Sequence, residues 1–411
     1  MNNKLLIIGH NFPEPSTTAA GGRMLQLIDL FLEQGFAITF ASTAVKSEHS
    51  AKLNSLKIKE VSLKLNDASF DEFLKALQPD VVVFDRFVTE EQFGWRVAEI
   101  CPNAVRILDT EDLHFLRKAR EEAYKKEIPV VKADLYTETA KRELASILRC
   151  DLNLLISEIE LQLLVETFKI PEGLLFYLPF LLTSNISAES KKEHCNYIER
   201  HHFIAVGNMK HAPNVASVKI LKQHIWPVLK DKFSQAELHI YGAYVPQQIQ
   251  EMHSPKERFL IKGWVKDISV VMQKARVQLA PIPFGAGLKG KLFEAMQHGL
   301  PTITTPVGAE GMYGQDATME FIADTWQQFT NLAALVYKEE RDWLHIQQKG
   351  YAILESRFLK NNFAERFATN ISYVAKNLKC HREDHFMGQI LQYKTMQATK
   401  YLSKWIEEKG S

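Results

Sequence analysis

Along the first half of the chain, short apolar runs alternate with segments in which apolar residues recur every three or four positions. "KLLIIG" reads as a buried strand and "FAITFAS" as the next one. Between them, "GGRMLQLIDLFLEQG" predicts a helix with Met24, Leu27, Ile28 and Phe31 on one face and Gly35 as its C-terminal stop. The rhythm continues through "VVVFDR", "AVRILDTED" and "CDLNLLIS", with helical stretches such as "TEEQFGWRVAEI" and "KRELASIL" between them. Strands that are apolar throughout and separated by helices predict a parallel sheet covered on both faces.

After "LLFYLPFLLTS" a polar segment, "NISAESKKEHCNYIERHH", interrupts the pattern, which restarts at "FIAVGN". "PNVASVKILKQHIWPVLKDKF" predicts a helix, followed by strands in "AELHIYG" and "RFLIKGWV", a helix in "DISVVMQKA", a strand in "VQLAPIP", a helix from near Lys289 and a strand in "PTITTP". A second α/β domain of similar plan is expected, with the boundary near residue 185. From Thr325 onward the pattern is helical to "YLSKWIEEKGS". In this tail Ala398, Tyr401, Leu402 and Trp405 form one stripe, with Lys400 and Lys404 beside it. The stripe reads as a face packed on the protein or on a second subunit; the sharper alternative is contact with a membrane surface.

A length of 411 residues fits two such domains and is too long for one ordinary core. A formal net charge of +1 argues against a protein whose main business is wrapping nucleic acid. The first apolar stretch is too short for a signal peptide, and no run approaches the roughly 18 residues needed to span a bilayer, so a cytoplasmic location is expected. Cys101, Cys150, Cys195 and Cys380 are scattered singly, as in a reducing compartment. His194, Cys195, His201 and His202 do gather in the polar segment, but no second ligand group stands nearby at metal-site spacing, and no metal site is expected.

Tandem doubly wound domains place a ligand in the cleft between the C-terminal edges of their sheets. Three strand-to-helix turns there carry unusual residues. In "GHNFPEPSTTAAGGRM", Gly21 and Gly22 come just before the helix, where backbone N–H groups can approach a phosphate or a sugar hydroxyl; a mere connection is the alternative. In "RILDTEDLHFLRKAR", Asp109, Glu111, Asp112 and His114 stand at a strand end, with Arg117 and Arg120 on the turns that follow. Such a cluster suits acid/base work or sugar hydroxyls, although Asp112 could simply cap the next helix. In "PIPFGAGLKGKLFEAMQ", Gly285, Gly287 and Gly290 keep a turn open ahead of Lys289 and Lys291 in the first helical turn. Cations there oppose the helix dipole and point to an anion such as a diphosphate; Glu294, one turn on, either takes ribose hydroxyls or pairs with the lysines.

"GAGLKGKLFEAMQHGLPTITTPVGAEGM" resembles the nucleotide-sugar site of the group 1, or family 4, glycosyltransferases, and "CDLNLLISEIELQLL" and "GWVKDISVVMQKARVQLAPIPFGAG" resemble two further segments of that family. The likeness runs to about residue 365. It implies a GT-B fold: two Rossmann-like doubly wound domains facing across a cleft, with a helical C-terminal extension. The corresponding divisions are 1–185 on the acceptor side, 186–365 on the donor side and a tail at 366–411. By the same resemblance Glu294 binds the donor's ribose, Lys291 touches the diphosphate, Gly287 and Leu288 offer N–H groups, and Gly21 and Gly22 match the first glycine-rich loop. Trp264 and Val265 fall where the nucleobase lies, and Asn214 is either a helix cap or a donor contact. Ala286 replaces the family's first glutamate, and Asn208 and Pro213 stand where an arginine and a lysine are common; Lys289 and Lys291 are the candidates to supply that charge.

The expected reaction is transfer of a sugar from a UDP- or GDP-sugar to a hydroxyl of a glycan, lipid-linked or protein acceptor, with retention, without a metal or further cofactor. Asp109, His114, Lys291 and Glu294 are the candidate catalytic residues. The alternatives are a sugar-nucleotide epimerase and a non-catalytic nucleotide-sugar-binding partner subunit.

Overall fold

The computed structural model describes residues 3–183, 196–314 and 321–410. The expected boundary at 185, His194 and Cys195 lie outside these residues. The first sheet comprises β1 (Lys4–Gly9), β2 (Ala37–Ser42), β3 (Lys59–Ser62), β4 (Val81–Asp85), β5 (Val105–Asp109), β6 (Leu152–Leu155) and β7 (Leu175–Tyr177). Its order is β3-β2-β1-β4-β5-β6-β7, and every pair is parallel. Successive strand residues feed opposite faces: Leu5, Ile7, Val81, Val83 and Ile107 share one apolar cluster, and Leu6, Ile8, Val82, Phe84 and Leu108 share the other. Both faces are therefore buried, as the uninterrupted apolar strands require.

The helices of this half include α1 (Ala19–Glu33), α2 (Phe87–Ile100), α3 (His114–Lys125), α4 (Glu138–Arg149) and α5 (Glu158–Glu166). Met24, Leu27, Ile28 and Phe31 of α1 are buried, and Gly35 takes the left-handed conformation that closes the helix. The helix begins earlier than its apolar pattern, because the Thr18 hydroxyl caps it by accepting from the Gly21 N–H at 2.9 Å.

The second sheet comprises β8 (His201–Val206), β9 (Leu238–Tyr241), β10 (Phe259–Gly263), β11 (Ala275–Ala280) and β12 (Thr302–Thr304), in the order β10-β9-β8-β11-β12, again all parallel. Its helices include α6 (Ala212–Ile220) and α7 (Gly290–Gln297). The single helix expected over 213–233 runs unbroken from Ala212 to Lys232 but widens midway. Leu221–Ile225 form a wider π turn ahead of Trp226–Lys232, because Pro227 has no N–H for the helical ladder. In each sheet the winding direction reverses beside the first strand of the domain, at β1 and at β8, and the cleft opens at the C-terminal ends of these strands.

After α8 (Glu340–Arg357) the chain runs back beside its own earlier path. Leu182 and Leu359 form a parallel bridge, with the Leu182 N–H bonded to the Phe358 carbonyl at 2.6 Å and the Lys360 N–H to the Leu182 carbonyl at 2.9 Å. Helix α9 (Asn361–Lys376), which runs through residue 365, then adds Phe363, Phe367, Ile371 and Val374 to the core of the first sheet. Helix α10 (Phe386–Gly410) lies on α4 and α2. The tail stripe does not pack on this chain. Tyr401, Leu402 and Trp405 are 65%, 57% and 53% exposed, and Ala398 is exposed with them. The polar face docks instead, because the buried Arg96 guanidinium needs partners and finds Ser403 and Glu407 on α10 as well as Asp71. Among the described residues, no helix is long and apolar enough to cross a membrane.

Candidate active site in the interdomain cleft

The cleft holds a cavity of about 760 Å³, and its walls come from both sheets. On the wall from the second domain, the α7 N-terminus carries Lys291, whose ammonium donates to Asn214 Oδ1 at 2.7 Å. Asn214 in turn donates to the Asn208 carbonyl at 2.8 Å. Asn214 is thus not the cap of α6; it lies inside that helix and holds the lysine. Burial, with Lys289 beside it, brings the Lys291 ammonium down to about 8. Burial pushes the Glu294 carboxyl up to about 7, against the pull of Lys291. Glu294 faces the same cavity, as do Trp264, Val265 and Leu288. Trp264 is 4.6 Å ring to ring from His49 of the first domain and donates to the Ser16 carbonyl at 3.3 Å.

Lys289 behaves differently from Lys291. Its ammonium donates to the Ala286 and Gly287 carbonyls at 3.2 and 2.5 Å, so it braces the loop that was expected to cradle the anion. The Gly287 N–H is also committed: it donates to Glu160 Oε1 of α5 at 2.7 Å, and Gly287 is not on the cavity wall. With a φ of +63° and a built Cβ 2.9 Å from that of Asp112, no other residue fits that position. The same Glu160 oxygen accepts from the Leu113 N–H at 3.2 Å, and burial, then Asp112, raises its carboxyl to about 7. Arg120 spans the cleft mouth, donating to the Gly285 carbonyl and, in a two-pronged pair at 2.6 and 2.8 Å, to Glu310.

The wall from the first domain is built by His10, Asp85, Arg86, Glu111, Asp112, His114 and Arg117. Arg86 and Glu111 both have left-handed backbone, with φ of 71° and 62°, which turns two charged strand-end residues into the cleft. Burial, with Asp109 behind it, raises the Glu111 carboxyl well above its usual range. Burial brings the His114 imidazole down to about 3, so it is neutral at pH 7. Asp112 is not a helix cap: Arg117 binds it at 2.7 Å and holds it at about 2 despite its burial. Glu143 caps α3 instead, accepting from the His114 and Phe115 N–H groups at 3.0 and 2.8 Å.

Asp109 is not on the wall. It is fully buried beneath it, accepting from Arg23 at 2.9 Å, while Arg23 also donates to the Leu178 carbonyl at 2.7 Å. Gly21 lines the cavity but lies within α1, pressed on the Glu14 backbone; Gly22 does not reach the cavity. Ala286 is buried in the apolar cluster of the first domain, so no acidic side chain enters from that position.

Residues 200–335 match the family model of glycosyl transferases group 1. That stretch is similar to a group 1 glycosyltransferase domain. It contains Asn208, Asn214, Trp264, Val265, Lys289, Lys291 and Glu294, which line the cavity from the second domain. No curated protein matches the chain in sequence. Among solved structures, sucrose-phosphate synthase from Thermosynechococcus elongatus is similar over 90% of this chain and 98% of its own, with a TM-score of 0.66 at 13% identity. WaaG, a glycosyltransferase involved in lipopolysaccharide biosynthesis, is similar over 89% of this chain and 99% of its own, with a TM-score of 0.62 at 13% identity. Anabaena Alr3699/HepE, solved in complex with UDP and glucose, is similar over 90% and 99%, with a TM-score of 0.64 at 12% identity. The two sheets with their helices together have the GT-B fold.

Proposed function

We propose that this protein transfers a glycosyl group from a nucleotide-diphosphate sugar, UDP-linked in the first instance, to an acceptor hydroxyl with retention of anomeric configuration. The observation that carries the reading is the trio of Lys291, Asn214 and Glu294 around one helix N-terminus inside a two-sided cleft. Breaking the anomeric C–O bond leaves charge on the diphosphate, and Lys291 with the α7 N–H groups supplies the opposite charge in a site screened from water. Asn214 fixes the ammonium before the donor arrives, so little reorganisation remains for the transition state. Glu294 accepts ribose hydroxyls, and Trp264 with Val265 receives the base. The acceptor hydroxyl approaches from the wall of Glu111, neutral His114 and Arg86, and its proton leaves with the departing phosphate oxygen.

The direct test is a thermal-shift screen with UDP, GDP, ADP, CMP and their sugar conjugates, followed by donor turnover with cell-extract acceptors. The expected outcome is a rise for one diphosphate series that Glu294→Ala reduces by about half or more. Ligand at a hundred times its dissociation constant stabilises by about 2.7 kcal/mol, which such a screen resolves. Binding with neither hydrolysis nor transfer would instead support a nucleotide-sugar-binding partner subunit, the reading that Ala286 favours.

A further inference from the structure

At the end of the second sheet away from the cleft, two histidines and a glutamate converge. The parallel register sets Ile204 of β8 beside His239 of β9, so His202, two residues earlier on β8, shares the face of His239. Their ring centroids are 5.0 Å apart. Glu237, immediately ahead of β9, brings Oε2 to 2.6 Å from His239 Nε2, and its N–H faces His202 Nδ1 at 3.3 Å. One ligand atom from each of the three side chains lies within 4.8 Å of the other two. His202 is held at a φ of +63°, a left-handed conformation that a residue with a β-carbon seldom adopts at a strand start.

We infer that His202, Glu237 and His239 form a binding site for one divalent transition-metal ion of the zinc, cobalt or nickel type. Two imidazole nitrogens and one carboxylate oxygen are the donor set such ions prefer, whereas calcium and magnesium seek oxygen alone. Metal–ligand bonds of about 2.0–2.2 Å in a tetrahedron set ligand atoms about 3.4 Å apart, so side-chain rotation alone closes this set on an ion. Part of the His239 and Glu237 side chains is solvent-exposed, 14% and 35%, which leaves a way in for the ion and room for water as the remaining ligand. Burial lowers both imidazoles, so each ring is neutral at neutral pH and carries one unprotonated nitrogen, which in His202 accepts from the Glu237 N–H until an ion takes its place. Lys262 on neighbouring β10 opposes a cation, and the Glu237 carboxylate offsets it. None of the three residues lines the cleft, so the ion's role is structural: it pins the start of β8 to the start of β9.

The test uses tag-free, full-length protein stripped by a chelator and titrated with Co²⁺, whose visible absorption reports coordination. One equivalent should bind and be displaced by Zn²⁺, and Zn²⁺ should raise the unfolding midpoint. His239→Ala and Glu237→Gln should each weaken Co²⁺ at least about ten-fold with an unchanged circular dichroism spectrum. If His239→Ala fails to fold, the near-isosteric Glu237→Gln decides alone. No absorption band, or equal affinity in the Glu237→Gln protein, overturns the inference and leaves adventitious binding at other histidines.

Discussion

Lys291 and Glu294 sit one helical turn apart, yet they form no ion pair; the lysine is bonded to Asn214 and the glutamate faces the cavity. Donor binding as proposed needs the carboxylate ionised and the ammonium protonated, so kcat/KM for the donor should rise as Glu294 titrates near 7 and fall as Lys291 titrates near 8. Lys291→Arg should remove the alkaline limb while the acid limb stays; a profile that keeps both limbs would show that another base sets the upper one. Glu294→Ala should cost about 1.5–3 kcal/mol, or ten- to a hundred-fold in donor affinity measured by calorimetry. Lys291→Ala should cut kcat about a hundred-fold with a smaller change in KM, whereas a raised KM at unchanged kcat would mean simple ground-state binding.

These residues were legible in the sequence because their oddity is local: cations at a helix start, with a glutamate one turn on. Glu160 and Glu310 were not, because their roles rest on Gly287 and Arg120, more than a hundred positions away. Asp109 was misplaced for a related reason. A strand end marks a cleft, but only the fold shows that Arg23 claims the carboxylate beneath the wall.

At the scale of elements, two helix N-termini meet without room for a side chain between them. A β-carbon at Gly290 of α7 would lie 2.3 Å from that of Ala19 of α1. Gly290→Ala should therefore push the helices apart, lowering stability by about 1–3 kcal/mol in urea titration, with a parallel loss of donor binding. Helix α3 depends on a distant cap. Glu143→Ala leaves the His114 and Phe115 N–H groups unpaired and should cost about 1–3 kcal/mol. Burial raises the Glu143 carboxyl to about 8, above its unfolded value. Its contribution is therefore full below the ordinary carboxyl range and is lost as pH rises through 8, so Glu143→Gln should flatten that part of the stability profile. Strand and helix order was readable from periodicity, since buried parallel strands are uninterrupted apolar runs. The short edge strand β3, "KEVS", was not, having neither apolar run nor alternation. The docking face of α10 was misread because its apolar stripe is the stronger signal, while the buried Arg96 that recruits the polar face is about three hundred residues away.

At the scale of the whole molecule, Arg120–Glu310, Arg357–Glu158 and Glu160–Gly287 bridge the two halves. Removing the first with Arg120→Ala should weaken donor binding without changing the fold of either half, a result readable as a lower midpoint shift with UDP. The return of the chain at Leu182 and Leu359 has a further consequence for dissection. The second domain leaves and rejoins the first at adjacent points, so topologically it is an insertion into a domain made of two separate sequence pieces. A fragment of 196–358 should fold by itself, because its buried core closes within those residues except at Ile156, Phe180 and Leu182. A fragment of 1–183 should aggregate, since Phe363, Phe367, Ile371 and Val374 would be missing from its sheet. Supplying 359–410 as a separate chain should rescue it, reassembling one domain from two polypeptides.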